Sequence, residues 1–227
     1  MKIYISIFSI STLLSFCCCT NFLEVKPDIK MVIPKSLDDA ELLLNDYSAM
    51  NMGYPIYGEW SADEYYVAPE VFDGALNFDQ RNTYTWMDII YDDVAQWQRP
   101  YKAVYNANQV MEIIAKVEVG LNAEKTKNLL GIAHFFRAFA FQQLVEVFAP
   151  AYQVATASTE MGIPLRLSPA IDDASIRASV QETYDQIIKD YKEASYRLPI
   201  HEGITGRPFR ASAYAGLARN LLGDRQV

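Results

Sequence analysis

The stretch AEKTKNLLGIAHFFRAFAFQQLVEVF, residues 123–148, decides the fold. Leu129, Leu130, Ile132, Phe135, Phe136, Phe139, Phe141, Leu144, Val145 and Phe148 leave no side of a helix polar. A helix that is apolar all round belongs inside the protein, with other helices packed around it. Asn122 can cap its start, and Pro150 stops it. His134 and Arg137 stand three residues apart within this apolar run. In that setting they read as core polar groups that cross-link helices rather than as ligands.

Working outward, helical periodicity recurs on both sides. Ser36 can cap a helix that carries Asp38 and Asp39 in its first turn and ends near Gly53. Pro100 suits the first turn of a helix running to about Val117, with Val104, Val110, Met111 and Ile114 inward. Residues 177–196 repeat apolar positions at three and four, and residues 210–222 form a last, Ala-rich helix. Residues 151–175 read as loop, and no alternating strand pattern stands out. The expected fold is therefore all-α, an array of helix pairs joined by long irregular loops. A pair repeat of about 34 residues fits this, although no internal sequence repeat is visible.

Residues 54–101 differ from the rest. They hold seven Tyr and three Trp in 48 residues, and nine acids against Arg81 and Arg99. Pro55, Gly58, Pro69, Gly74 and Pro100 break any long helix there. Flat aromatic rings match the apolar C–H face of a sugar ring, and polar groups can meet its hydroxyl fringe. Trp60, Tyr65, Tyr66, Trp86, Tyr91 and Trp97 are thus candidate platforms. Trp60 and Trp86 are expected to be the exposed ones, and Trp97 to belong to the scaffold. Asp63 and Glu64 could accept from sugar hydroxyls, and Arg81 could donate through its guanidinium fork. The ligand-binding candidates are Trp60, Asp63, Tyr65, Arg81 and Trp86.

Composition argues against several other classes. A net charge of −8 does not suit a nucleic-acid partner. His134 and His201 are the only histidines, and the three cysteines cluster at positions 17–19. This leaves no disulfide framework, thiol nucleophile or metal constellation, and no cofactor is expected. The adjacent Asp63 and Glu64 do not by themselves make a glycosidase pair. No catalytic residue is assigned, and the expected activity is binding.

Lys2 and an uncharged run over residues 3–16 have the form of a secretory signal, too short to span a membrane. The run ends at Cys17-Cys18-Cys19, as in a bacterial lipoprotein signal, and Cys19 is the expected site of acylation. The reading is a signal peptide over residues 1–18, an extended tether over 19–35 and a helical domain over 36–227.

The order of segments resembles the N-terminal half of the SusD/RagB proteins. Cys19-Thr20-Asn21-Phe22-Leu23-Glu24-Val25-Lys26-Pro27 resembles their lipidated start, and Trp60-Ser61-Ala62-Asp63-Glu64 their first loop motif. Trp97 to Tyr101 with Tyr105-Asn106-Ala107-Asn108, and the run from Gly131 to Leu144, resemble two scaffold helices. Gly162-Ile163-Pro164-Leu165, Tyr184 to Asp190, Leu198-Pro199 and Ala213 to Arg219 follow in the family's order. Ile132 stands where the family has Glu, and the chain has about half the family's length. The resemblance implies a TPR-like right-handed array and a lipid-anchored protein facing the cell exterior at the outer membrane. It also implies non-catalytic oligosaccharide capture beside a TonB-dependent transporter. A peptide-binding helical-repeat module and a truncated fragment without function are the rival expectations.

Overall fold

The computed structural model describes residues 34–74, 76–88, 93–117 and 122–223. The signal at 1–18, Cys19, the tether up to residue 33 and Tyr91 lie outside the described residues. Nine helices and one two-stranded sheet occur among the described residues, so the chain is all-α in class.

The chain order is α1 (Leu37–Leu44), α2 (Tyr47–Met50), α3 (Tyr57–Trp60), α4 (Pro69–Gly74) and α5 (Phe78–Tyr84). Then come α6 (Ala95–Lys116), α7 (Ala123–Phe148), β1 (Met161–Pro164), β2 (Arg177–Ser179), α8 (Val180–Arg197) and α9 (Arg210–Gly223). Helix α7 has the bounds read from its sequence and is the central element. Leu129, Ile132, Phe136, Phe141, Leu144 and Val145 are buried. Asn122 holds the N-cap position, but its side chain makes no cap hydrogen bond.

Contacts along the seams show antiparallel neighbours. Trp97 of α6 meets Phe148 of α7 with ring centroids 5.0 Å apart, while Asn108 of α6 bonds Arg137. Across α7 and α8, Gly131 lies against Leu198, whereas Phe148 accepts a bond from Arg177 just before α8. Gly216 of α9 sits over the Tyr191 ring, where a Cβ would stand 2.4 Å from ring carbons; only glycine lets these helices approach so closely.

Four expectations need correction. The first helix breaks at Asn45, because Asp46 takes over as a new cap, accepting from the Ala49 amide and the Ser48 hydroxyl. Helix α6 begins five residues before Pro100, where the Asp93 carboxylate accepts from the Ala95 amide. Pro100 is buried within the helix, and so does not mark its start. Residues 161–164 are a strand rather than loop, paired antiparallel with Arg177–Ser179, Met161 opposite Ser179. Helix α8 starts at Val180 because Ser179 and Glu182 form a capping box. Such short strands carry too few positions to show an alternation.

Two polar knots tie the array. Arg137 donates to both oxygens of Asp190, at 2.8 and 2.7 Å, and to Asn108 Oδ1 at 2.8 Å. His134 Nδ1 lies 2.8 Å from Asp190. Burial alone would raise the Asp190 carboxyl, but hydrogen bonds from His134 and Arg137, with the guanidinium charge, hold it below its ordinary value. His134 and Arg137 are thus the cross-linking core groups that the sequence suggested. The second knot joins the two ends of the array. Arg207 reaches Glu41 at 2.6 Å and Asn45 at 2.7 Å, so the segment before α9 is fastened to α1. Among the described residues, no helix is long and apolar enough to cross a membrane.

Candidate ligand-binding site

The aromatic stretch folds into a layer of three short helices, α3 to α5, held to the scaffold at a few points. Tyr57 is buried and meets Phe148 edge-to-face, with centroids 6.5 Å apart. The Ile56 amide donates to the Gln96 side chain at 2.9 Å. Asp79 is buried in α5 and accepts from the Asp93 amide at 3.1 Å, which fixes the layer to the start of α6.

Trp86 is the outstanding residue of this layer. Helix α5 is capped at its start by an Asn77/Gln80 capping box. It ends with two bonds of a Schellman motif: the Met87 amide donates to the Asn82 carbonyl at 2.9 Å, and the Trp86 amide to Thr83 at 3.2 Å. That motif needs a left-handed residue after the cap, where glycine is usual. Here Trp86 occupies it, with φ 56°. The left-handed backbone costs a non-glycine residue about 1–2 kcal/mol. The indole is 76% exposed, yet its Nε1 donates to the Ser61 carbonyl at 3.0 Å. A large ring is therefore held in place at the surface on strained backbone, a combination that clusters at functional sites.

The other sequence-picked residues fall around it. Trp60 is half-buried, contrary to its expected exposure, because it stacks edge-on against Tyr57 with centroids 5.6 Å apart. Tyr65 is exposed, donates its hydroxyl to the Trp60 carbonyl at 2.7 Å and leans on Tyr84 at 5.7 Å. Trp60, Tyr65 and Tyr84 line one cleft of about 250 Å³, with Glu59 and Gln80 at its edge. Trp86 lines a neighbouring cleft of about 340 Å³ with Ser61, Met87 and Glu146. The Trp86–Ser61 bond lies within this second cleft. Asp63 is exposed in the turn after α3, between these aromatics in sequence. Arg81 is half-buried and donates to the Asp73 carbonyl at 3.4 Å, bracing α4 against α5. Tyr66 is exposed, and Trp97 is half-buried against Phe148 and Tyr101, in keeping with a scaffold role.

Sequence reading missed Tyr84, whose hydroxyl accepts from the Val67 amide at 3.1 Å and which lines the first cleft. It also missed a groove of about 310 Å³ between α6 and the 164–175 loop, lined in part by Tyr101, Tyr105, Asn108 and Ile171. Arg166 holds that loop closed through bonds to Ala170, Asp173 and Ser175. Nothing in the local sequence marks a groove made from segments 60 residues apart. Among the described residues, no cluster of three or more metal-ligating side chains occurs.

The helical scaffold carries its irregular aromatic layer where α6 begins and α7 ends. Residues 21–222 match the SusD-like family described as "Starch-binding associating with outer membrane", and the chain belongs to that family. Among solved structures, it is similar to a putative sugar binding protein from Bacteroides vulgatus, at 22% identity and TM-score 0.70, over 85% of this chain and 44% of that one. A SusD superfamily protein from Bacteroides fragilis gives 20% and 0.67, over 85% and 47%. One from Bacteroides thetaiotaomicron gives 19% and 0.65, over 83% and 43%. At these identities the likeness shows the fold. The chain spans less than half the length of these structures. No curated protein matches it.

Proposed function

We propose that this chain captures oligosaccharides at the cell surface without chemically changing them. It would be anchored through Cys19 and would hand its ligand to a TonB-dependent transporter. The anchor rests on the cysteine-terminated signal in the sequence, and the transporter on the family resemblance. One observation carries the binding reading: Trp86 is presented outward on a strained left-handed backbone and fixed by its bond to Ser61. A ring that served only packing would be buried, and a loop that served only connection would hold glycine there. In this reading Trp86 stacks a sugar ring, Trp60 and Tyr65 flank it, and Asp63 and Arg81 meet hydroxyls.

The test is a titration of the purified chain with a panel of neutral oligosaccharides, followed by tryptophan fluorescence. Saturable binding is expected. Trp86→Ala should weaken it by about tenfold or more, the effect of losing a central aromatic anchor. A folded protein that binds no oligosaccharide, or binds equally well without Trp86, would overturn the assignment.

A further inference from the structure

A further concavity, of about 470 Å³, opens where α7 begins, α8 ends and α9 begins. Its walls carry Lys125, Lys127, Arg197 and Arg210, with Glu124 as an acceptor. Four cations converge in a chain whose net charge is −8.

Two of the four are already matched. Lys125 meets Asp38 and Glu41, each at 2.7 Å, and Arg197 meets Glu193 at 2.7 Å. The other two have no carboxylate partner among the described residues. The Lys127 ammonium lies 5.9 Å from the centre of the Tyr196 ring. Arg210 donates Nε to the Leu198 carbonyl at 3.2 Å, and its two terminal nitrogens have no protein acceptor among the described residues. The groove is lined from the first two turns of the 26-residue α7 and the first residue of the 14-residue α9, near the positive end of each helix dipole.

These features fit an oxyanion. A guanidinium offers parallel donors to two oxygens of a carboxylate or sulfate, and a neighbouring ammonium adds a point charge. The acceptor side narrows the class. The Glu124 carboxylate is exposed and lines the same groove. A ligand that satisfies both sets brings hydroxyl donors as well as a negative group. Unlike the Trp86 layer, this groove has no aromatic ring in its lining among the described residues, so hydrogen bonds and charge would do the recognition.

We infer that the groove binds the carboxylate or sulfate of an acidic saccharide, a site separate from the aromatic one. The saccharide part rests on the carbohydrate reading above; the oxyanion part does not.

The experiment is calorimetric titration of the full-length chain with sodium sulfate, trigalacturonate, maltotriose and a triglutamate peptide, at constant ionic strength set with sodium chloride. Sulfate and trigalacturonate should bind saturably and compete with each other. Lys127→Glu should weaken both by about tenfold or more, the loss of one charged hydrogen bond and its replacement by repulsion. This variant leaves every backbone bond in place, so folding is not at issue; Lys127→Gln with Arg210→Gln should act in the same direction. Trp86→Ala should leave the competition unchanged. Absence of saturable sulfate binding, or identical binding by Lys127→Glu, overturns the site. Sulfate binding without trigalacturonate binding, or triglutamate binding as tightly, overturns the saccharide assignment. Loss of maltotriose binding alone counts against the aromatic site and leaves this one standing.

Discussion

The α7–α8 seam and the α3–α5 layer handle polar groups in opposite ways. In the seam, Arg137, His134, Asn108 and Asp190 are directed at one another inside the scaffold. In the layer, Trp86 and Tyr65 use one polar atom each to fix themselves and turn their faces to solvent. The seam is saturated by its own partners, while the layer keeps capacity for something from outside. Rigidity in one region is what lets the other hold rings in place without burying them.

The largest effect that could break this contrast is loss of the seam. Arg137→Ala leaves the buried Asp190 without its guanidinium partner, keeping on α7 only the contact with His134, and should cost about 3–5 kcal/mol, measured as a lower midpoint in urea. Trp86→Ala should change stability by less than about 1 kcal/mol while abolishing most ligand binding. If both variants unfold alike, the two regions are one structural unit and the contrast fails.

Acid should sharpen it next. The folded state holds the Asp190 carboxyl below its ordinary value, so its contribution is present above about pH 3.9 and is lost as pH falls through the folded value. The stability gap between the native chain and Asp190→Asn, read by thermal unfolding, should therefore narrow from about pH 6 to about pH 3. A gap that widens on acidification would show that the pair does not act as described.

Trp86→Gly should reverse the usual sign of a truncation. It relieves the left-handed backbone, worth about 1–2 kcal/mol, offset in part by glycine's greater freedom when unfolded. The melting point should rise or hold while oligosaccharide binding disappears. A clear loss of stability would mean that the indole is a packing residue. The smallest effect is Tyr65→Phe, which removes one bond to Trp60 and should cost about 0.5–1.5 kcal/mol at most, with a modest loss of affinity in the same titration.

The scaffold was largely legible because its signals are local. The apolar run from Leu129 to Phe148, the Ser36 cap and the Ala-rich last helix are each contained in one stretch of sequence. The misread boundaries have local competitors: Asp46 outbids the continuing helix, and Asp93 starts α6 one turn before the proline. The aromatic density of residues 54–101 located the candidate site. It did not tell which ring faces outward, since Trp60 is shielded by Tyr57, and the position of Trp86 depends on a helix-end motif that normally announces itself by glycine. The basic groove left no trace, because its cations lie in three segments as much as 85 residues apart by number, from Lys125 to Arg210.

The Arg207–Glu41 fastening has a consequence for kinetics. Neighbouring helices of the array contact one another over short stretches of chain, and such contacts close early in folding. Residues 41 and 207 are separated by 166 positions, so their bond closes a loop that pays off only after the intervening helices have docked. It belongs to the far side of the folding barrier. Arg207→Ala should therefore leave the refolding rate nearly unchanged and speed unfolding, so that this one guanidinium sets how long the assembled array lasts rather than how quickly it forms.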